Sequence, residues 1–554
     1  MITLNNINLS SIDLSSIDLR GIKLGLGGRG GGSSDGFPQL PGDVTRWHFG
    51  GLTNEMMAAM DDPRIEDADH KGRFLSFKNF AWKGMSGVGG YGDENYQTFY
   101  KFTLDDYVFI ASPPGVKHMN FTFRVTGLQP GNKLTLAFFG TTNTVYGIWD
   151  KDGIYTVDAD IVEAGKPTYF YNGYGSTRGE FTIEILPLYP GFILGDGVDD
   201  FAVTEKELNF EDTYTVYTAF IPFQNNPTRN MILCGADSKK TFSMQYSSLV
   251  YVSFIAGNNY YINADFVNGL NLFACKRNGN NICIKNLLTN KVVTGTCGDW
   301  VENAGLYYLW KNATYASFAK AAIAGQTICN GYFSTDEDDE KVLNWYKKQY
   351  PWLFPDQAWT VVGKTNEDED RATIANITGN GNDLVLSNFG FIEGSGYNEE
   401  GEHAGYLVTD GVDDEIISAK LIQFADKFTI VGDWKFMEDR NDNAGLLKAN
   451  QIYIYNATTG MRIYLKQGSK NYPFSCKKIN ALTSDGWVYD EKWDKYKVYP
   501  IGSDIDISSR LFLGFYSSNF TKIALKNLGI YNDQLLSKDD CIKAYNYLQT
   551  LKAK

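Results

Sequence analysis

The sequence predicts a mainly β protein: tandem β-sandwiches, a smaller N-terminal β-domain and an extended pentad-repeat arm ahead of them. Three observations predict it. Glycine is abundant at 56 residues, proline scarce at 15, and Tyr and Phe number 35 each, a composition of strands and glycine turns. Apolar and polar residues alternate with period two, as in Phe121-Thr122-Phe123-Arg124-Val125 and Lys133-Leu134-Thr135-Leu136-Ala137, with turns at Gly127, Gly131 and Gly153. Long stretches of short strands occur twice, each opened by the same five residues and closed by one helical pattern. A chain of 554 residues has room for about three or four domains.

The first element is residues 1–24, where the pentad Ile-x-Leu-x-x sounds five times. Ile2, Ile7, Ile12, Ile17 and Ile22 keep the beat, with Leu4, Leu9, Leu14, Leu19 and Leu24 each two residues behind. A step of five makes no stripe on a helix, and in a straight strand it flips successive pairs to opposite faces. One shared face requires bends, and Asn5-Asn6, Ser10-Ser11, Ser15-Ser16 and Arg20-Gly21 tolerate them. One short coil has no layer above or below it to cover these ten side chains, so the segment is expected to be an anchoring arm. Residues 25–36, GLGGRGGGSSDG, read as a flexible linker.

Residues 37–190 follow as an N-terminal β-domain. Within it, at 47–90, lies Trp47-x3-Gly51-x-Thr53-Asn54-Glu55, which recurs as Trp359-x3-Gly363-x-Thr365-Asn366-Glu367 in a connecting element at 356–405. Asn79-Phe80 and Gly84-Met85-Ser86-Gly87 parallel Asn388-Phe389 and Gly394-Ser395-Gly396. Downstream, Asp196-Gly197-Val198-Asp199-Asp200 recurs as Asp410-Gly411-Val412-Asp413-Asp414. The chain is therefore a duplicated module whose first copy carries an extra β-region, about 92–190. The two sandwiches are placed at 191–355 and 406–554. Their closing helices are expected to begin at Ser334, with Glu337 three residues on, and at Ser537, with Asp540 three residues on. Val342, Trp345 and Tyr346 would pack one helix face on a sheet.

Many strands closed by one peripheral helix resemble concanavalin A-like, laminin-G-like domains, carried by the two DGVDD entries and by segments such as Leu528-Gly529-Ile530-Tyr531-Asn532. The arm resembles pentapeptide repeats, best at Ile12–Ser16 and Ile17–Gly21. The stretch from Trp359 through Thr365-Asn366-Glu367 to Asn388-Phe389 resembles proteins of Bacteroides and their crAss-like phages. That resemblance implies a virion fibre, tail-fibre or head-decoration component.

A net charge of −14 disfavours nucleic acid as a partner, and none is expected, because phosphate binding needs clustered Lys and Arg. No apolar run reaches transmembrane length, so no membrane insertion is expected. The opening residues lack the pattern of a signal peptide. Seven cysteines, with no CxxC and no neighbouring His, read as reduced thiols. No cofactor is expected. The weak calcium candidates are Asp196, Asp199, Asp410 and Asp413, but Asp and Gly together also make a tight turn, which is the preferred reading. The run Asp336–Glu340 reads as helix N-terminal charge.

No catalytic residue is assigned. A glycosidase needs two carboxylates across the sugar bond, and Glu180-Phe181-Thr182-Ile183-Glu184 lacks a central acid. No G-x-S-x-G elbow and no phosphate loop occur. Sugar binding is better supplied: aromatic faces with neighbouring Asn or Asp occur at Tyr169, Tyr171 and Tyr174, at Asn258-Asn259-Tyr260-Tyr261, and at Trp487, Trp493 and Tyr496. Alternating aromatics also line sandwich cores, which is the plainer reading of any one of them. Trp493, in a charged turn, is expected to be exposed.

The expected function is a virion protein, made in the host bacterial cytoplasm, anchored by its N-terminus to a capsid or tail platform and displaying lectin-like domains to surface glycans. A homo-oligomer is expected, a trimer ahead of a dimer. The alternatives are a purely structural virion component, a bacterial glycan-binding protein and a glycan-cleaving enzyme.

Overall fold

The computed structural model describes residues 36–553, apart from 92–98, 103–106, 112–117, 139–143, 161–166, 174–179, 224–230, 237–241, 247–248, 257, 266, 268, 301–302, 312–317, 380, 400–402, 438–443, 450–451, 458–459, 466–467, 472–477, 498–506 and 517–518. The pentad arm lies outside the described residues: Ile2, Leu4, Ile7, Leu9, Ile12, Leu14, Ile17, Leu19, Ile22 and Leu24 all fall there, with nearly all of the linker. The anchoring role expected of these ten side chains is therefore carried forward as a proposal. Residues 37–554 form one compact unit.

That unit holds two sandwiches of the same design, each made of two eight-stranded sheets. In the first, one sheet runs through Thr213–Pro222, Lys320–Asn330 and Tyr189–Asp196 to Gly87–Gly89, with Asp43–His48 also paired to Lys320–Asn330. The facing sheet starts at Arg64–Glu66 and Phe74–Lys78, continues through Phe201–Thr204 and Tyr307–Leu309, and ends at Asn258–Ala264. The second sandwich repeats the plan. Gln357–Thr360 and Phe428–Phe436 pair with Ile523–Asn532, and Thr373–Ile374 and Leu384–Ser387 begin the facing sheet. Residues 43–89 thus supply strands to the first sandwich and 357–398 to the second. Even the irregularities repeat: the central ladder slips register between Ala219 and Phe220, and again between Asp433 and Trp434.

All the described ladders are antiparallel, and each inner face is apolar. Trp47, Phe220, Tyr246 and Trp310 fill the first core; Trp359, Phe424, Trp434 and Leu528 fill the second. Between Gly89 and Tyr189 a smaller sandwich is inserted: His118–Thr126 sits between Gly153–Asp160 and Phe181–Ile185, facing Lys133–Phe138 and Pro167–Gly173. Its core is Phe121, Phe123, Leu136, Phe170 and Ile183.

The closing helices are Asp336–Gln349 and Lys538–Thr550. The first is capped by Thr335, not Ser334: Thr335 takes the Asp338 N–H and the Asp338 carboxylate reaches back. The cap shifts by one because Ser334 is buried, its hydroxyl donating to Asp339. Ser537 caps the second helix as expected. Val342, Trp345 and Tyr346 are buried on one face.

The second helix is buried over most of its circumference, from Cys541 to Leu548. It lies where all three sandwiches meet. Thr122 of the inserted sandwich donates to Asn546 at 2.7 Å, the Tyr547 hydroxyl accepts the Leu270 N–H of the first sandwich at 2.9 Å, and Tyr545 donates to Asp433 of the second at 3.0 Å. Phe37, Ile154, Tyr189, Leu270, Trp352, Val431 and Tyr547 belong to one continuous apolar cluster, Ile154 coming from the inserted sandwich. The three sandwiches therefore share a core.

Candidate functional site

The duplicated sequence words fold into one duplicated structure. Thr53 caps the short helix Asn54–Ala58, which places Asn54 beside the strand Gly87–Gly89. There Asn54 accepts the Val88 N–H at 2.7 Å and donates to the Val88 carbonyl at 3.1 Å. Asn366 does the same to Tyr397, at 2.8 Å in both directions. Only glycine fits alongside: a Cβ on Gly87 or Gly396 would lie 2.5 Å from the asparagine oxygen, and both residues have positive φ. The indole of Trp47 donates to the Arg73 carbonyl and that of Trp359 to the Asn382 carbonyl.

The acidic turns attach to this latch. Asn79 and Asn388, both left-handed at φ 68° and 67°, donate to the carbonyls of Asp199 and Asp413. Asp196 accepts the Val198 and Asp199 N–H groups, and Asp410 accepts those of Val412 and Asp413. The last aspartate of each turn is buried. Asp200 accepts the Asp196 N–H, and its other oxygen is buried without a partner; Asp414 accepts the Asp410 N–H and the Ser395 hydroxyl. Burial pushes their carboxyls up, Asp200 to about 7 and Asp414 to about 6.

Three carboxylates lie within 4.8 Å of one another in each turn. Calcium takes six to eight oxygens. Here Asp196, Asp200, Asp410 and Asp414 each accept an N–H group from their own turn, and Asp199 and Asp413 are exposed. These are the hydrogen bonds of a tight turn, and the three carboxylates of each turn fall short of the six to eight oxygens of a calcium shell by themselves.

The aromatic candidates do not form one surface. Trp493 is fully buried, correcting the expectation that it is exposed. Asp490 folds the charged turn back by accepting the Lys492 and Asp494 N–H groups, and Trp493, at φ 60°, packs edge-on to Tyr545 with ring centroids 5.6 Å apart. Trp487 is half-buried, and the ammonium groups of Lys495 and Lys497 lie 3.6 and 4.3 Å from its ring centroid. Tyr496 donates to Asp490 and packs on the second core. Tyr171 is half-buried in Pro167–Gly173; Tyr169 lies in the same strand, its side chain outside the described residues. Tyr174 lies outside them too, as do the side chains of residues 258–261. Glu184 is held by Arg124 at 2.6 Å.

Two buried ionic centres escaped the sequence reading. Asp339 accepts from Lys276 at 2.7 Å, Lys285 at 3.1 Å, Tyr217 and Ser334, so it ties the first closing helix to its sheet. Asp433, fully buried, is met by Lys478 at 2.7 Å, Tyr545 and Gln549. Apart from Ser334, every one of these partners sits on a distant element, Tyr217 being 122 residues from Asp339, and no local spacing signals them.

No family model matches the chain, and no curated protein matches it. Among solved structures it is similar to the receptor-binding domain of a botulinum neurotoxin mosaic serotype C/D, at 8% identity and TM-score 0.28, over 63% of this chain and 89% of that one. It is also similar to domain 4 of an arabinanase from Geobacillus stearothermophilus in complex with arabinotriose, at 14% identity and TM-score 0.20, over 28% and 80%. A third is the VIP36 exoplasmic/lumenal domain bound to calcium and Man3GlcNAc, at 9% identity and TM-score 0.21, over 28% and 86%.

Proposed function

We propose that this is a display protein of a phage virion: an N-terminal arm fixes it to a capsid or tail platform, and the body from Phe37 onward presents surface to host glycans. The observation that carries the reading is the division of the chain at Gly36 and Phe37 into a short N-terminal unit and one continuous body. The pentad repeat gives the first unit ten apolar side chains that need a partner, the row Leu4, Leu9, Leu14, Leu19 and Leu24 and the isoleucine two places before each. The shared core of three sandwiches gives the second a rigid platform of the kind that presents binding surfaces. The protein would be made in the bacterial cytoplasm and assemble as a homo-oligomer, a trimer ahead of a dimer, with the arms completing one another's coil. It would bind no nucleic acid and act as no enzyme.

A purely structural virion role is the second reading. It is favoured by the burial of Trp493 and by the lysines over Trp487, which remove two aromatic faces from use. Immunogold labelling of purified virions with an antibody against residues 37–554 tests the location. Label at the particle surface supports it, and particles free of label and of peptides from this chain contradict it.

A further inference from the structure

The tandem order of the two large sandwiches creates a cleft that neither copy holds alone. One wall is the end of the helix Asp336–Gln349 and the turn that follows it; the other is the turn between Ile523–Asn532 and Lys538–Thr550. Its volume is about 460 Å³, which suits one or two sugar rings. Buried Phe354 and half-exposed Leu535 supply apolar surface.

The polar lining is of mixed sign. Lys347 and Lys348 line one side, with no ion pair among the described residues. Asp533 and Asp356 line the other, Asp356 already accepting the Asn532 N–H. Gln534 uses its amide nitrogen on the Phe354 carbonyl, while its buried side-chain oxygen has no partner. An anion would face the aspartates and a cation the lysines. A hydroxyl group both donates and accepts, so it can bridge a lysine to an aspartate or to the Gln534 oxygen while a ring's C–H face rests on Leu535. We propose that this inter-sandwich cleft binds an uncharged sugar unit of a surface glycan, with Lys347, Lys348, Asp533 and Gln534 as its hydrogen-bonding residues. The proposal rests on the glycan-display reading above and gives it a site.

The test is an array of neutral and acidic oligosaccharides probed with the full chain, followed by titration of the best ligand into K347A/K348A, D533A and Q534L. These side chains lie outside the cores, and a Tm within about 3 °C of the parent identifies a folded variant. Binding of neutral glycans that weakens at least about tenfold in the folded variants is the expected result. Equal binding by the parent and all variants overturns the cleft and leaves the display reading standing. Binding restricted to acidic glycans overturns the ligand class. No binding by the full chain overturns both.

Discussion

Asn366 holds Tyr397 by both of its backbone groups, accepting the N–H and donating to the carbonyl, each at 2.8 Å. The pair Asn54 and Val88 repeats the arrangement in the first sandwich. A side-chain amide here replaces the neighbouring strand that would otherwise satisfy two backbone groups. Asn366→Ala and Asn54→Ala should each cost about 2–4 kcal/mol, since two main-chain groups lose their partner. Urea denaturation measures it. A loss near zero for both would show that the repeated Thr-Asn-Glu word has another purpose.

The acidic turns predict a pH dependence. Asp200 and Asp414 have carboxyls raised in the folded state above the ordinary value of 3.8. Between about pH 4 and pH 7 the folded chain therefore binds more protons than the unfolded chain, so these groups' contribution to stability falls as pH rises through that window. Asp200→Asn and Asp414→Asn should flatten this part of the profile and be most stabilising at pH 7 and above. Thermal melts at pH 5 and pH 7.5 check the sign; an unchanged profile in the double variant would refute it.

The same turns predict indifference to calcium, because N–H groups of each turn bonded to Asp196, Asp200, Asp410 and Asp414 hold its shape without an ion. Millimolar calcium or EDTA should leave the Tm unchanged within error. A calcium-reversible rise of several degrees, lost in Asp199→Asn with Asp413→Asn, would restore the metal reading.

Trp493→Ala should destabilise the second sandwich by about 3–5 kcal/mol, the usual cost of emptying a large buried aromatic site. Trp493 is the ring that the sequence placed at the surface. A variant as stable as the parent would return it there.

Asp433→Ala should be as severe, about 3–5 kcal/mol, because Lys478, Tyr545 and Gln549 would all lose their acceptor. Since Tyr545 and Gln549 lie on the shared helix, the loss should loosen its packing against all three sandwiches. Limited proteolysis should then release fragments from the inserted sandwich as well as from the second; cleavage confined to the second would contradict a common core.

The period-two patterns and the paired words made the sandwiches legible, because alternation and tight-turn chemistry are local. The latch residues were visible as a repeat, but their partners were not: nothing in Asn54 announces Val88, 34 residues away. Trp493 misled for a related reason. Its neighbours Glu491 and Lys492 are exposed, and a single left-handed residue turns the indole inward against their local pattern. The acidic run around Asp339 has the pattern of helix-end charge, whereas four donors, three of them on strands of the sheet, make Asp339 a buried anchor. The inter-sandwich cleft belongs to no motif at all, since its walls come from segments far apart in the chain.

The central claim, that residues 1–24 anchor a body that folds without them, is tested most directly by co-sedimentation of the 1–24 deletion with virions assembled in its presence. The deleted protein should stay in the supernatant while melting at the parent's Tm. Incorporation at the parent's copy number would contradict the anchor, and a collapse of the Tm would place the arm inside the body's core.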